Sequence, residues 1–192
     1  MYDSRPDPYC YKGSTVLKNL AGLRRQERLD IFEHESALAR ATEPLPDGHL
    51  DAAHYRAIHH HLFQDVYGWA GEYRTVRISK GASMFCFPEN IPQEMDRLFG
   101  QLSRDAYLHG LGPEAFASRA AHVIAELNAV HPFREGNGRT QLTFLALLAE
   151  QAGHTLDFER LNPETFLAAL IASFMGDETA LLLAIAGLID HG

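Results

Sequence analysis

The chain has 192 residues, a formal net charge of −8 and 46% hydrophobic residues, enough for one compact domain with a full core and too short for two ordinary ones. The acidic balance and the lack of a long basic block exclude duplex nucleic acid as the main partner, because such binding rests on phosphate neutralisation; a nucleotide, which needs only a few local cations and N–H groups, stays admissible. Cys10 and Cys86 are too few for a disulfide framework, and with neither a charged-then-apolar leader nor an apolar run near about 18 residues the expected setting is a reducing cytoplasm, away from membranes.

In chain order, residues 1–13 carry Pro6, Pro8, Tyr2, Tyr9 and Tyr11 and predict an extended arm laid over the domain. Ser14 as an N-cap predicts a short helix to residue 20. Leu29, Phe32, Glu33 and Leu38 mark a helix over residues 23–40, ended by Glu43-Pro-Leu-Pro-Asp-Gly48. Another covers residues 51–66, with Tyr55, Ile58, Leu62 and Phe63 facing inward. Tyr67-Gly-Trp-Ala-Gly-Glu-Tyr73 reads as an aromatic turn. Residues 75–78 alternate as a strand, 79–82 turn, and 83–87 form the return strand. Such a hairpin is marginal alone and must lean on helices or on a partner. Helices follow over 89–108, 113–130 and 138–151. Asn162 caps 163–175 and Asp177 caps 178–190. The fold class is all-α, a helical bundle with one small β-hairpin, in a single domain spanning residues 1–192.

The chemistry concentrates in His131-Pro-Phe-Arg-Glu-Gly-Asn-Gly-Arg139. Gly136-Asn137-Gly138 can fold back on itself and aim several N–H groups into one concavity, a nest for anions. A helix starts just after it, so its dipole adds favourable potential for phosphate. His131 titrates near neutrality and can take a proton from a hydroxyl. Glu135 lies at the lip of the nest, and a single carboxylate plus nucleotide phosphates is a common way to hold Mg²⁺. Arg139 can reach a phosphate with its planar fork. Phe133 plugs into the core and fixes the loop. These parts suit nucleotidyl or phosphoryl transfer, which depends on positioning and charge stabilisation. An exposed hairpin edge near the site could pair with an extended segment of a target protein and present its hydroxyl to His131.

These nine residues resemble the signature of the Fic (filamentation induced by cAMP) proteins, His-x-Phe-x-Asp/Glu-Gly-Asn-Gly/Lys-Arg-x-x-Arg. Asp7-Pro-Tyr-Cys-Tyr-Lys-Gly13, Tyr67-Gly-Trp-Ala-Gly71 and the hairpin before Phe85 are likewise similar to bacterial Fic toxins and to Fic domains of secreted effectors. The resemblance implies the Fic fold, with residues 131–139 as the active loop and a flap at about 75–87. It implies transfer of AMP from ATP to a Tyr, Ser or Thr hydroxyl of a target protein, type II topoisomerase subunits among the candidates. By similarity His131 is the general base and Glu135 holds Mg²⁺. Phe133, Gly136, Asn137, Gly138 and Arg139 form the nucleotide-binding set, with Arg139 on the leaving phosphates. Ser83, Met84, Phe85 and Cys86 form the target-docking flap.

Two departures from the pattern carry consequences. The family's second arginine falls at Leu142; its charged hydrogen bond to the γ-phosphate contributes roughly 1.5–3 kcal/mol, about ten- to a hundredfold in affinity. The inhibitory pattern Ser/Thr-x-x-x-Glu-Gly/Asn has no match: Ser14-Thr-Val-Leu-Lys-Asn19 places lysine where the glutamate belongs. A separately encoded antitoxin supplying an inhibitory helix is therefore implied.

Blander readings stand beside these. A histidine at a helix C-terminus has a structural role through the dipole, and Leu142 joins Leu145 and Leu148 near one apolar face. His59-His60-His61 point in different directions on a helix and cannot easily chelate together. His122, four residues before Glu126, reads as a buried or partner-satisfied histidine, and Trp69 and Tyr73 as packing anchors. Two other functions remain open. One is a catalytically weakened nucleotide- or partner-binding scaffold. The other is a kinase of the death-on-curing type, a branch that carries lysine where this chain has Gly138.

Overall fold

The computed structural model describes residues 7–80 and 83–190, with backbone only at Lys80 and Ser83. Seven α-helices build it: α1 (Gln26–Ala41), α2 (Ala52–Phe63), α3 (Ile91–Arg104), α4 (Pro113–Val130), α5 (Asn137–Ala152), α6 (Pro163–Phe174) and α7 (Thr179–Leu188). Two short strands, β1 (Ser79–Lys80) and β2 (Ser83–Met84), pair antiparallel between α2 and α3.

Helix α4 is the axis of the bundle. It buries Phe116, Ala117, Ala120, Ala121, Val123, Ile124, Ala125, Leu127 and Val130, more than one stripe of its surface. The alanines let neighbours approach, and α3, α5, α6 and α7 all pack on it. Past Pro113 and Glu114 only a strip at Ala115, Ser118, Arg119 and His122 stays exposed, so the apolar face is broad without closing round the helix. Helix α2 packs on α1, α3 and α5, and its Asp51 cap accepts the His54 N–H at 2.7 Å. Asn162 caps α6 by accepting from Glu164 and Thr165 N–H, each at 3.0 Å. Helix α5 stops at Gly153, which adopts φ 90°, a left-handed end that glycine takes without a Cβ penalty. Among the described residues no helix is long and apolar enough to cross a membrane.

Three expected elements differ. Residues 14–20 form no helix. Ser14 Oγ instead accepts the Val16 N–H at 3.0 Å, a local side-chain bond that competes with helix formation. Cys10 and Leu17 then form an isolated antiparallel bridge. The hairpin is shorter than expected: residues 75–78 are not a strand, because the Val76 carbonyl is taken by the Arg74 side chain at 2.7 Å, pairing begins at Ser79 instead, and the return strand expected over 83–87 ends at Met84, the Cys86 N–H going to Ala129 O at 3.1 Å. The helix expected to residue 108 ends at Arg104, and Ala106, Tyr107 and Leu108 all take positive φ. Residues 1–6 of the arm and 81–82 of the turn lie outside the described residues.

Candidate active site

The loop between α4 and α5 carries the motif, and its conformation follows from a few contacts. His131 is the C-cap of α4 in the left-handed region, φ 48° and ψ 62°, with its N–H donated to Leu127 O at 2.9 Å. A non-glycine residue there costs roughly 1–2 kcal/mol, so the surroundings must hold it. Its ring stacks on Phe85 with centroids 4.0 Å apart, which puts the expected flap and the expected base in direct contact. Phe133 is fully buried, stacked on His59 at 3.8 Å and on Tyr55 at 5.7 Å. This corrects its place in the nucleotide-binding set: the ring lies in the core and supports the loop from beneath. The Asn137 amide is also inside. It accepts the Phe133 N–H at 3.0 Å and donates to Phe133 O at 2.8 Å, buckling the loop. Only the backbone of Asn137 is left to face a ligand.

Gly136 takes φ +81°, and a Cβ there would lie 2.4 Å from Phe63 Cε2. Gly138 meets nothing within 4 Å at its Cβ position. No side chain caps α5, so its first N–H groups look out past Gly138, where the helix dipole favours an anion. Glu135 is exposed, and its Oε1 accepts the Gly136 N–H at 2.9 Å. The carboxylate thus sits at the mouth of the nest.

Sequence reasoning missed three residues that hold this loop. His59 is completely buried between α2 and the loop. Its Nδ1 accepts the Gly71 N–H at 2.8 Å, which fixes the ring proton on Nε2, and that proton goes to Glu135 O at 3.0 Å. Burial pulls its pKa down to about 3, so it is neutral. His60 and His61 address other carbonyls, those of Ala70 and Arg40. Arg74, 1% exposed, donates to carbonyls of the loop and of both hairpin legs; burial lowers its pKa to about 10, still well above neutrality. Glu33 of α1 accepts from Arg139 Nη2 and from the Tyr67 hydroxyl, while the Arg139 guanidinium lies 4.6 Å over the Phe63 ring. The helical period exposed Glu33 only as a face marker. No local signal in a single sequence pairs it with a residue more than 100 positions away.

The rest of the motif is anchored outward. Arg134 binds Asp7 Oδ2 through Nε at 3.0 Å and Nη2 at 2.8 Å, tying the N-terminal arm to the active loop. Tyr9 accepts the Thr75 N–H at 3.1 Å and packs edge-on against Trp69. On the hairpin, Met84 is 59% exposed, Phe85 is buried against His131 and Phe174, and Cys86 is half-buried; the Ser83 side chain lies outside the described residues. Leu142 is half-buried against the core. His122 pairs with Glu178 at 3.0 Å on the surface. Among the described residues no three His, Cys, Asp or Glu side chains converge on a metal-sized site. A divalent ion here would therefore rest on Glu135, substrate oxygens and water.

A loop that offers an imidazole, a glycine nest at a helix N-terminus and one carboxylate has the parts that phosphates beside a base require. The sequence model of the Fic/DOC family matches residues 49–149. The chain is 52% identical to the "Probable protein adenylyltransferase y4lH" of Sinorhizobium fredii over 92% of both chains. It is 36% identical to the "Probable protein adenylyltransferase Fic" of Escherichia coli, over 96% of this chain and 93% of that one. Among solved structures, the Bartonella tribocorum effector protein BepC with bound AMPPNP superposes with a TM-score of 0.85 at 29% identity, covering 95% of this chain and 96% of that one. The chain belongs to the Fic/DOC family.

Proposed function

We propose that this protein is a protein adenylyltransferase, moving AMP from ATP to a hydroxyl side chain of a target protein. The observation that carries it is one loop presenting both a left-handed glycine nest at the start of α5 and His131 at the end of α4. The names of its relatives and the AMPPNP in BepC support the same reading.

The residues divide the work. The N–H groups at the start of α5 receive the α- and β-phosphate oxygens, and the open side of Gly138 lets the α-phosphate approach. Arg139, half-exposed on one side and held by Glu33 on the other, reaches the departing phosphates. Glu135 would hold Mg²⁺, which when bound neutralises charge on the phosphate oxygens. His131 takes the proton of the target hydroxyl. The hydroxyl oxygen forms a bond to the α-phosphorus, the bond from that phosphorus to the bridging oxygen breaks, and pyrophosphate leaves. The hairpin edge at Ser83–Met84 docks an extended segment of the target. The acceptor is a Tyr, Ser or Thr hydroxyl, type II topoisomerase subunits are candidate targets, and a separate antitoxin chain is the proposed regulator.

The half-buried Leu142, in place of a second arginine, favours one alternative: a scaffold that binds nucleotide without transferring it. Incubation with ATP, Mg²⁺ and cell lysate separates these. Label from the α-phosphate on protein, absent with His131→Ala, is the expected result. ATP binding without transfer would establish the scaffold, and label from the γ-phosphate would establish a kinase.

A further inference from the structure

Arg74 stands outside the nine-residue motif, yet it touches everything that motif needs to be aligned with. Its backbone N–H donates to Pro132 O at 2.9 Å. Its guanidinium donates to His131 O at 2.8 Å through Nε and to Val130 O at 3.2 Å through Nη2. Three consecutive carbonyls leaving α4 thus end on one residue. The remaining contacts go elsewhere: Nη1 to Val76 O at 2.7 Å and Nη2 to Cys86 O at 2.6 Å, one on each leg of the hairpin. The return leg is also pinned directly, Cys86 N–H to Ala129 O at 3.1 Å.

The arrangement has a physical logic. The C-terminal carbonyls of α4 carry the negative end of its dipole, which a cation complements. No carboxylate is paired with Arg74 among the described residues, so its charge is answered by carbonyl oxygens alone. A planar fork with five donors in fixed directions can serve four carbonyls on three chain segments at once, and an ammonium cannot. Three of the bonds converge on the left-handed turn at His131, which aims the imidazole. The same guanidinium sets where the hairpin leaves the bundle, and Phe85 of that hairpin stacks on the His131 ring.

We propose that Arg74 is a positioning residue that couples the target-docking hairpin to the catalytic base, so that flap and His131 form one rigid unit. This rests on the adenylyl-transfer reading for its role but not for its mechanics. The nest at Gly136–Arg139 receives no bond from Arg74, so nucleotide binding should be spared.

The test is Arg74→Lys, with Arg74→Met beside it, read by kinetics and by amide hydrogen exchange. Arg74→Lys should lower kcat at least about tenfold and raise KM for the protein target, while the Kd for ATP moves less than about twofold. Exchange should quicken at Arg74, Cys86 and His131 and stay unchanged in α6 and α7. Wild-type target kinetics in either variant would overturn the proposal, as would an ATP affinity falling in parallel or exchange quickening evenly across the bundle. If neither variant folds, exchange in the wild-type chain at rising urea decides. A shared opening free energy for the Arg74, Cys86 and His131 amides supports the coupling, and separate openings refute it. Should the wild-type chain transfer no AMP, the proposed function fails while the exchange pattern still judges Arg74.

Discussion

At position 136 a methyl group would lie 2.4 Å from the Phe63 ring on a backbone already at φ +81°, whereas at position 138 it would meet nothing. The two glycines of the nest therefore do different work. Gly136 is enclosed by the fold, and Gly138 faces open space. Gly136→Ala should lower stability by about 1–2 kcal/mol from the left-handed backbone alone, more with the clash, and abolish ATP binding. Gly138→Ala should leave stability unchanged or raise it by about 0.5–1 kcal/mol, as expected inside a helix, while weakening ATP. Thermal melts with calorimetry check both; equal destabilisation by the two changes would contradict the division of roles. The motif residues were legible in the sequence because their chemistry is local, a base, a carboxylate and a turn within nine positions. His59, Arg74 and Glu33 were not, because each acts through a contact 56 to 106 residues away. Phe133 was half legible: an apolar side chain in a polar loop signals burial, and burial removes it from the ligand.

Among the elements, the long helices were readable from their apolar period, and α4 matches its expected span. The errors fell where backbone groups had a choice of partner. Ser14 bonded a neighbouring N–H instead of capping a helix, and the Val76 carbonyl went to a guanidinium instead of a strand. Helix α5 shows how one position can serve two readings. Leu142 is half-buried and packs against the core, one turn beyond Arg139. Its partial exposure leaves room for a longer side chain to lie along the helix with its charged end in water. Leu142→Arg should therefore fold normally and tighten ATP binding by about tenfold or more through a charged hydrogen bond to the distal phosphate. Calorimetry showing unchanged or weaker binding would remove the argument that this position limits nucleotide affinity.

The molecule as a whole stakes its active loop on a neutral core histidine. His59 has a pKa of about 3 in the fold against an ordinary 6.5, so the unfolded chain binds a proton that the native chain refuses. Its contribution to stability is complete above about pH 6.5 and is lost as pH falls toward 3, at up to about 1.4 kcal/mol per pH unit. Urea unfolding at pH 7 and pH 5 should show the wild-type chain losing about 2 kcal/mol more than His59→Gln; equal losses would mean that the ring takes up its proton in the native chain as readily as in the unfolded one. The arm, bundle and hairpin meet at this loop through Asp7–Arg134, His59–Glu135 and Arg74–His131, so a modest architecture converges on one short loop. The claim at its centre is tested most directly by mass spectrometry of cellular proteins after expression of the wild-type and His131→Ala chains. AMP should be found on hydroxyl side chains of one or a few proteins with the wild type and on none with the variant. The same adducts in both samples, or a phosphate in place of AMP, would contradict it.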